Sequence, residues 1–192
     1  MHDRFQSIIL WALVLVIAPA ASAHAVTDLP ETSRYLLLLL HVFGMILLFG
    51  NIAVSSLWMT QARKTGDRAI LFYATKTVFR ADLLFTLPGL ILVIGPGVFL
   101  VGGVEDWARA SWAELSLALV AVVAFVWLTQ VVRYQRKMLH VTKEAAELRI
   151  GLSEAFYYYE RRWSLWSALV TVLLLASLYL MVFKPHLWGP AV

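Results

Sequence analysis

The chain has 192 residues, 61% of them hydrophobic and 15% charged, with a formal net charge of +4 and no cysteine. So apolar a composition excludes a water-soluble domain of this size, and the membrane spans described below leave no room for a separate soluble domain. The lack of cysteine excludes disulfides, thiolate metal sites and covalent c-type haem attachment.

Residues 1–25 read as a secretory signal peptide or an uncleaved signal anchor. Arg4 supplies the basic start, Ile8 to Ile17 the short apolar core, and Pro19 with AASAHA the small-residue stretch. Ala21-Ser22-Ala23 and Ala23-His24-Ala25 both satisfy a small-x-small cleavage rule. Cleavage after Ala23 makes His24 the mature N-terminus, where amine and ring nitrogen can jointly hold Cu(II). Cleavage after Ala25 destroys that site. Either version delivers Val26 to Arg34 to the outside, and residues 26–192 then form one transmembrane domain.

Four spans follow, at about 35–59, 83–101, 115–132 and 164–183. The expected fold is all-α, a polytopic membrane four-helix bundle. The first span, Tyr35 to Met59, carries no charge. At ~1.5 Å rise per residue it crosses a ~30 Å hydrocarbon core. Its His41, Gly44, Leu48, Asn51 and Ser55 recur at helical spacing, which puts them on one face. An unpaired polar group in hydrocarbon costs several kcal/mol, so this stripe should face protein. The second span contains Pro88, which predicts a kink, and Gly95-Pro96-Gly97, which predicts an early end to the regular helix. The third should continue past the bilayer by several turns through QVVRYQRKMLHVTKEAAELRI, stopped by Gly151. Ser153 is the expected cap of the helix leading into the fourth.

Lysine and arginine orient the chain. One loop holds Arg63, Lys64, Arg68, Lys76 and Arg80; another holds Arg133, Arg136, Lys137, Lys143, Arg149, Arg161 and Arg162. The positive-inside rule accounts for this charge better than nucleic acid does, and it places both loops in the cytoplasm and the C-terminus outside. The localisation that follows is a bacterial inner membrane, with the lipid bilayer as first partner. Trp58, Trp107, Trp112, Trp163, Trp166 and Trp188 fall near span ends, where an aromatic belt is expected.

His41 is the leading candidate for chemistry. A neutral imidazole within a span can bind haem iron or copper, or shuttle a proton; its alternative role is a packing hydrogen bond to a neighbouring helix. Met45, one turn on, adds a thioether suited to Cu(I), and Met181 beside Tyr179 should reach a similar depth on the fourth span. A bis-histidine haem needs a second ligand, for which His186 is the available residue; otherwise it is a solvated tail residue beside Pro185. His140 reads as an exposed helix residue. Arg80 and Asp82 flank the second span, where Asp82 is expected to pair with a basic residue across the bundle or to relay protons. Ser164, Ser167 and Thr171 are expected to make interhelical hydrogen bonds. Glu105, Asp106 and Glu114 read as solvated charge.

The segments LLLLLHVFGMILLFGN, RKTGDRA, RADLLFTLPGLIL and YYYERRWSLWSALVTVLLLASLYLMVFKP resemble a bacterial integral-membrane family known only as a domain of unknown function. The resemblance covers about residues 33 to 186. That family is thought to be distantly similar to the copper-resistance D membrane proteins and the J-type protoporphyrinogen oxidases. It implies a four-helix bundle with a histidine on the first core helix, which His41 matches. The copper-resistance relatives imply metal handling on the outer side. In the J-type oxidases a lysine on a later helix accompanies that histidine, and the third span here has none. Four function classes stand: a membrane protein associated with haem b or copper through His41; a non-catalytic accessory or scaffold subunit of a membrane complex; a small transporter or proton pathway using His41 and Asp82; and a porphyrin enzyme.

Overall fold

The structure is a computed structural model that describes residues 30–101 and 110–188. The expected signal segment with His24, and the stretch holding Glu105, Asp106 and Trp107, lie outside the described residues. The described residues are all-helical, without strands. Among the described residues four helices are long and apolar enough to cross a membrane: α1 (Glu31–Thr65), α2 (Arg68–Val101), α3 (Ser111–Glu147) and α4 (Glu154–Phe183).

Local chemistry sets the helix ends. Glu31 sits in the first turn of α1 and Arg63 and Lys64 in its last, each sign opposing the helix dipole. Gly66 then adopts a positive φ of 64°, open to glycine at no steric cost. Asp67 caps α2 by accepting from the backbone N–H groups of Ala69 and Ile70 at 2.7 and 3.2 Å. The segment expected as a cytoplasmic loop is therefore helical, and α2 starts well before the predicted span. α3 does continue far past its predicted span. It stops at Glu147 rather than at Gly151: Leu148 N–H closes the last turn onto Glu144 O, and Arg149 takes the positive φ of 54°. The Arg149 carbonyl in turn accepts from Arg68 Nη1 at 2.9 Å. Ser153 stands immediately before α4 and accepts, through its carbonyl, the Phe156 N–H.

Two segments depart from α geometry. Asp82–Thr86 in α2 and Trp127–Val131 in α3 are π-helical. The first ends just ahead of Pro88, whose ring opposes the carbonyl four residues back, Leu84, inside the π segment. The disruption predicted at Pro88 is thus taken up as a wide turn. The expected stop at Gly95-Pro96-Gly97 does not occur, because α2 runs through Pro96 to Val101. Proline inside a spanning helix is tolerated where neighbours re-satisfy the freed carbonyl.

Contacts divide the chain into two compact units, and every helix contributes a segment to each. The first unit takes residues 30–46, 88–101, 110–122 and 173–188 of the described chain, with Leu90, Ile94, Val98, Val120, Leu174 and Leu180 buried in it. Ser116 and Ser177 tie α3 to α4 there by a buried hydroxyl pair. The second unit takes 47–87 and 123–172, with Leu48, Leu71, Val78, Met138 and Phe156 almost wholly buried. In it Arg63 pairs with Glu160 at 3.2 Å. Outward positions such as Leu36, Leu39, Phe125, Leu169 and Val172 are exposed, the pattern of helices whose outer surface meets lipid tails rather than water. Of the tryptophans near span ends, Trp58 and Trp188 are exposed, and Trp163 is buried, where its apolar area fills the core.

Candidate functional site

The polar stripe of α1 faces protein. Gly44, Leu48, Asn51 and Ser55 are buried and His41 is half-buried, whereas Val42, Phe43 and Ile46 on other faces are exposed. A stripe of this kind presents donors and acceptors to neighbouring helices at each turn, and the partners that meet them form two clusters.

The first cluster, in the first unit, centres on His41. Its Nδ1 lies 2.8 Å from the carbonyl oxygen of Val93 on α2. A carbonyl only accepts, so Nδ1 carries the proton and donates, and Nε2 keeps its lone pair. No described residue occupies Nε2 with a hydrogen bond. The ring is held from the side as well, since Gly97 has room for no Cβ against it. This is how a metal-binding histidine is commonly held: the far nitrogen donates to a carbonyl, which fixes tautomer and orientation. His41 lines a cavity of about 400 Å³ together with Met45, Gly97, Trp112, Met181 and Lys184. The other walls are aliphatic, from Leu38, Val42, Leu100 and Leu178 among others. At its edge the Lys184 ammonium stands 5.3 Å from the Trp112 ring centroid, a cation–π contact.

The second cluster, in the second unit, centres on Asp82, which is 7% exposed. Four neutral donors reach its carboxyl. Oδ1 accepts from Asn51 Nδ2 and, at 3.0 Å, from Thr86 Oγ1. Oδ2 accepts from Gln135 Nε2 at 2.7 Å and Trp127 Nε1 at 3.3 Å. Asn51 Nδ2 also donates to Thr86 Oγ1 at 2.8 Å, and Ser55 Oγ donates to Asn51 Oδ1 at 3.2 Å. The π turns make this convergence possible. Trp127 and Gln135 are eight residues apart, about 80° from alignment on a regular helix. One extra residue per π segment brings them to within about 20° of one face.

The structure places Met45 and Met181 in the cavity that His41 lines, and it gives Asp82 the neutral partners Asn51, Thr86, Trp127 and Gln135 rather than the basic one expected. It does not bring His186 among the residues lining the His41 cavity; His186 is exposed beyond the end of α4. Arg80 is exposed and is not among the four donors to Asp82. His140 is exposed, and Glu114 accepts from Trp188 Nε1 at 3.1 Å. Thr171 bonds back to the Ser167 carbonyl of its own helix rather than across to another. Among the described residues no group of three or more His, Asp or Glu could hold a metal ion. Val93, Gly97, Trp112, Lys184, Trp127 and Gln135 carried no chemical signal in the sequence; each acts through where the helices place it.

Comparison with known proteins identifies a family. The model of a family described as "Predicted integral membrane protein (DUF2269)" matches residues 35–185, a range that includes most of all four helices and both clusters. No curated protein and no solved structure matches the chain.

Proposed function

We propose, from the premise that this chain belongs to the DUF2269 family of integral membrane proteins, that its His41 cavity is a cofactor site and that the cofactor is copper as Cu(I). The protein is a multi-pass membrane protein embedded in the bilayer by four apolar helices. One observation carries the copper reading: an imidazole with Nδ1 already engaged and Nε2 free shares one cavity with two thioethers, Met45 and Met181. Imidazole and thioether are donors suited to Cu(I), and the remaining walls of the cavity are mostly aliphatic. When bound, copper would supply one-electron chemistry or a site for transfer of the ion. The chain's part is to orient His41 through Val93 and Gly97 and to offer Met45 and Met181 beside it.

A second reading, haem b with His41 as axial ligand, is favoured by the size of the cavity, about 400 Å³, which exceeds the need of a bare ion. Lys184 at the edge could meet a propionate.

Lysine and arginine distribution supports an inner-membrane orientation with the basic segments around Arg63–Arg80 and Arg133–Arg162 in the cytoplasm and the C-terminus outside. The His41 half of α1 then lies toward the outer face.

The test is metal analysis with an absorption spectrum of gently extracted protein. Copper retained by wild type and lost in His41→Ala supports the first reading; a Soret band lost in the same variant supports the second. Protein free of both that co-purifies with a larger complex returns the accessory-subunit reading. A reporter fused after Lys143 that is active in the periplasm would overturn the orientation.

A further inference from the structure

The Asp82 cluster lies in the second unit and plays no part in the His41 reading. A carboxylate that buried is costly unless its charge is met, and its four donors are all neutral. Gln135, itself 2% exposed, gives Nε2 to Asp82 and leaves its Oε1 buried with no hydrogen-bond partner. Every other acceptor in the cluster is served: Asn51 Oδ1 by Ser55, Thr86 Oγ1 by Asn51. One buried acceptor therefore lacks a donor, and a proton on Asp82 reaches it only when the amide turns, which exchanges the Nε2 bond for an Oε1 bond as the carboxylate loses its charge.

We propose that Asp82 is a proton-binding site, and that taking up a proton at Oδ2 turns the Gln135 amide so that Oε1 accepts the new O–H. The step balances simply. A proton from water adds to Oδ2, the carboxylate's charge goes from −1 to zero, and the amide rotates half a turn about its last side-chain torsion. Nε2 gives up its bond to Asp82, and Oε1 gains one. Trp127, Asn51 and Thr86 keep their places. The two π segments suit such a two-state element, because wide turns of this kind recur at functional sites.

The charged groups of the packed helices leave this role to Asp82. α1 carries no titratable residue between His41 and Arg63. On α2, Arg80 is exposed. On α3, Arg133 is exposed and the Arg136 guanidinium lies 5.9 Å from the Phe79 ring centroid. The α4 segment of this unit has its charges, Glu154, Glu160, Arg161 and Arg162, in its first three turns, with Glu160 paired to Arg63.

The test is infrared titration of the full chain reconstituted in liposomes of neutral lipid. The expected result is a protonated-carboxyl C=O band that titrates separately from the exposed Asp and Glu side chains, disappears in Asp82→Asn and shifts in frequency in Gln135→Leu. Gln135→Leu keeps Asp82, so it reports even if Asp82→Asn fails to fold. Wild-type spectra in which all carboxyls titrate together would overturn the proposal. A band unmoved by Gln135→Leu would overturn the amide coupling. A band abolished at constant pH by sodium chloride but not by choline chloride would overturn the proton assignment in favour of a metal cation.

Discussion

Gly97 of α2 lies so close to His41 of α1 that a Cβ on the glycine would come within 2.9 Å of both Cε1 and Nδ1 of the imidazole. The ring cannot simply retreat, because Nδ1 is bonded to Val93 O. Gly97→Ala must therefore break that bond or push the two helices apart. The expected cost is about 1–3 kcal/mol, the usual range for overpacking. Thermal unfolding in detergent reads the cost, and metal content reads the site: copper retention should fall with it. Unchanged stability and retention in Gly97→Ala would mean that the ring is not clamped as described.

Gly44 makes a closer test of packing. A Cβ there would lie 2.9 Å from Gly89 O, Leu92 Cβ and Val93 N. Two of these are backbone atoms, which cannot rotate aside as a flexible side chain can. Gly44→Ala should thus cost more than Gly97→Ala, since small residues are what let spanning helices approach closely. Gly50, on the same helix, is exposed, and a methyl group placed on it would have nothing within 4 Å. Gly50→Ala should be neutral or stabilising by up to about 1 kcal/mol from helix propensity. Unfolding of the three variants side by side ranks them.

Much of this was legible from residue types alone. Hydropathy marked the four helices, and the 3.6-residue period of α1 told which side of His41, Gly44, Leu48, Asn51 and Ser55 would be buried. What periodicity could not show is register. The π segments at Asp82–Thr86 and Trp127–Val131 have no composition of their own, so the alignment of Trp127 with Gln135 was invisible. Gly97 read as a helix breaker because glycine beside proline breaks helices in water. Its role is a close approach, which depends on a partner 56 positions away in the sequence, His41. Pairs such as His41 with Val93, or Ser116 with Ser177, are likewise properties of the packed chain.

The Arg63–Glu160 pair offers a contrast in scale. It spans 3.2 Å, but the arginine side chain is 53% exposed. Exposed pairs contribute about 0–1 kcal/mol. Arg63→Ala should fall in that range and lose its effect as salt is raised, because screening already weakens the pair. A larger, salt-insensitive loss would point to packing of the arginine stem instead.

Asn51 should behave quite differently. Its Nδ2 donates to both Asp82 and Thr86, and its Oδ1 accepts from the Ser55 hydroxyl. Asn51→Leu keeps nearly the same volume but removes every one of these bonds. It leaves the buried Thr86 and Asp82 short of a donor, so the expected cost is about 1–3 kcal/mol. Ser55→Ala removes only one bond, to a group that keeps its other partners, and should cost ~0.6 kcal/mol. Thr86→Val separates the terms. If Asn51 and Thr86 act on Asp82 as one network, the double variant will cost less than the two single variants added together, by about 0.5–3 kcal/mol. Chemical unfolding of the four proteins measures that coupling. Strict additivity would mean that Asn51 and Thr86 hold Asp82 independently, and that the amide of Asn51 has no part in ordering the hydroxyl beside it.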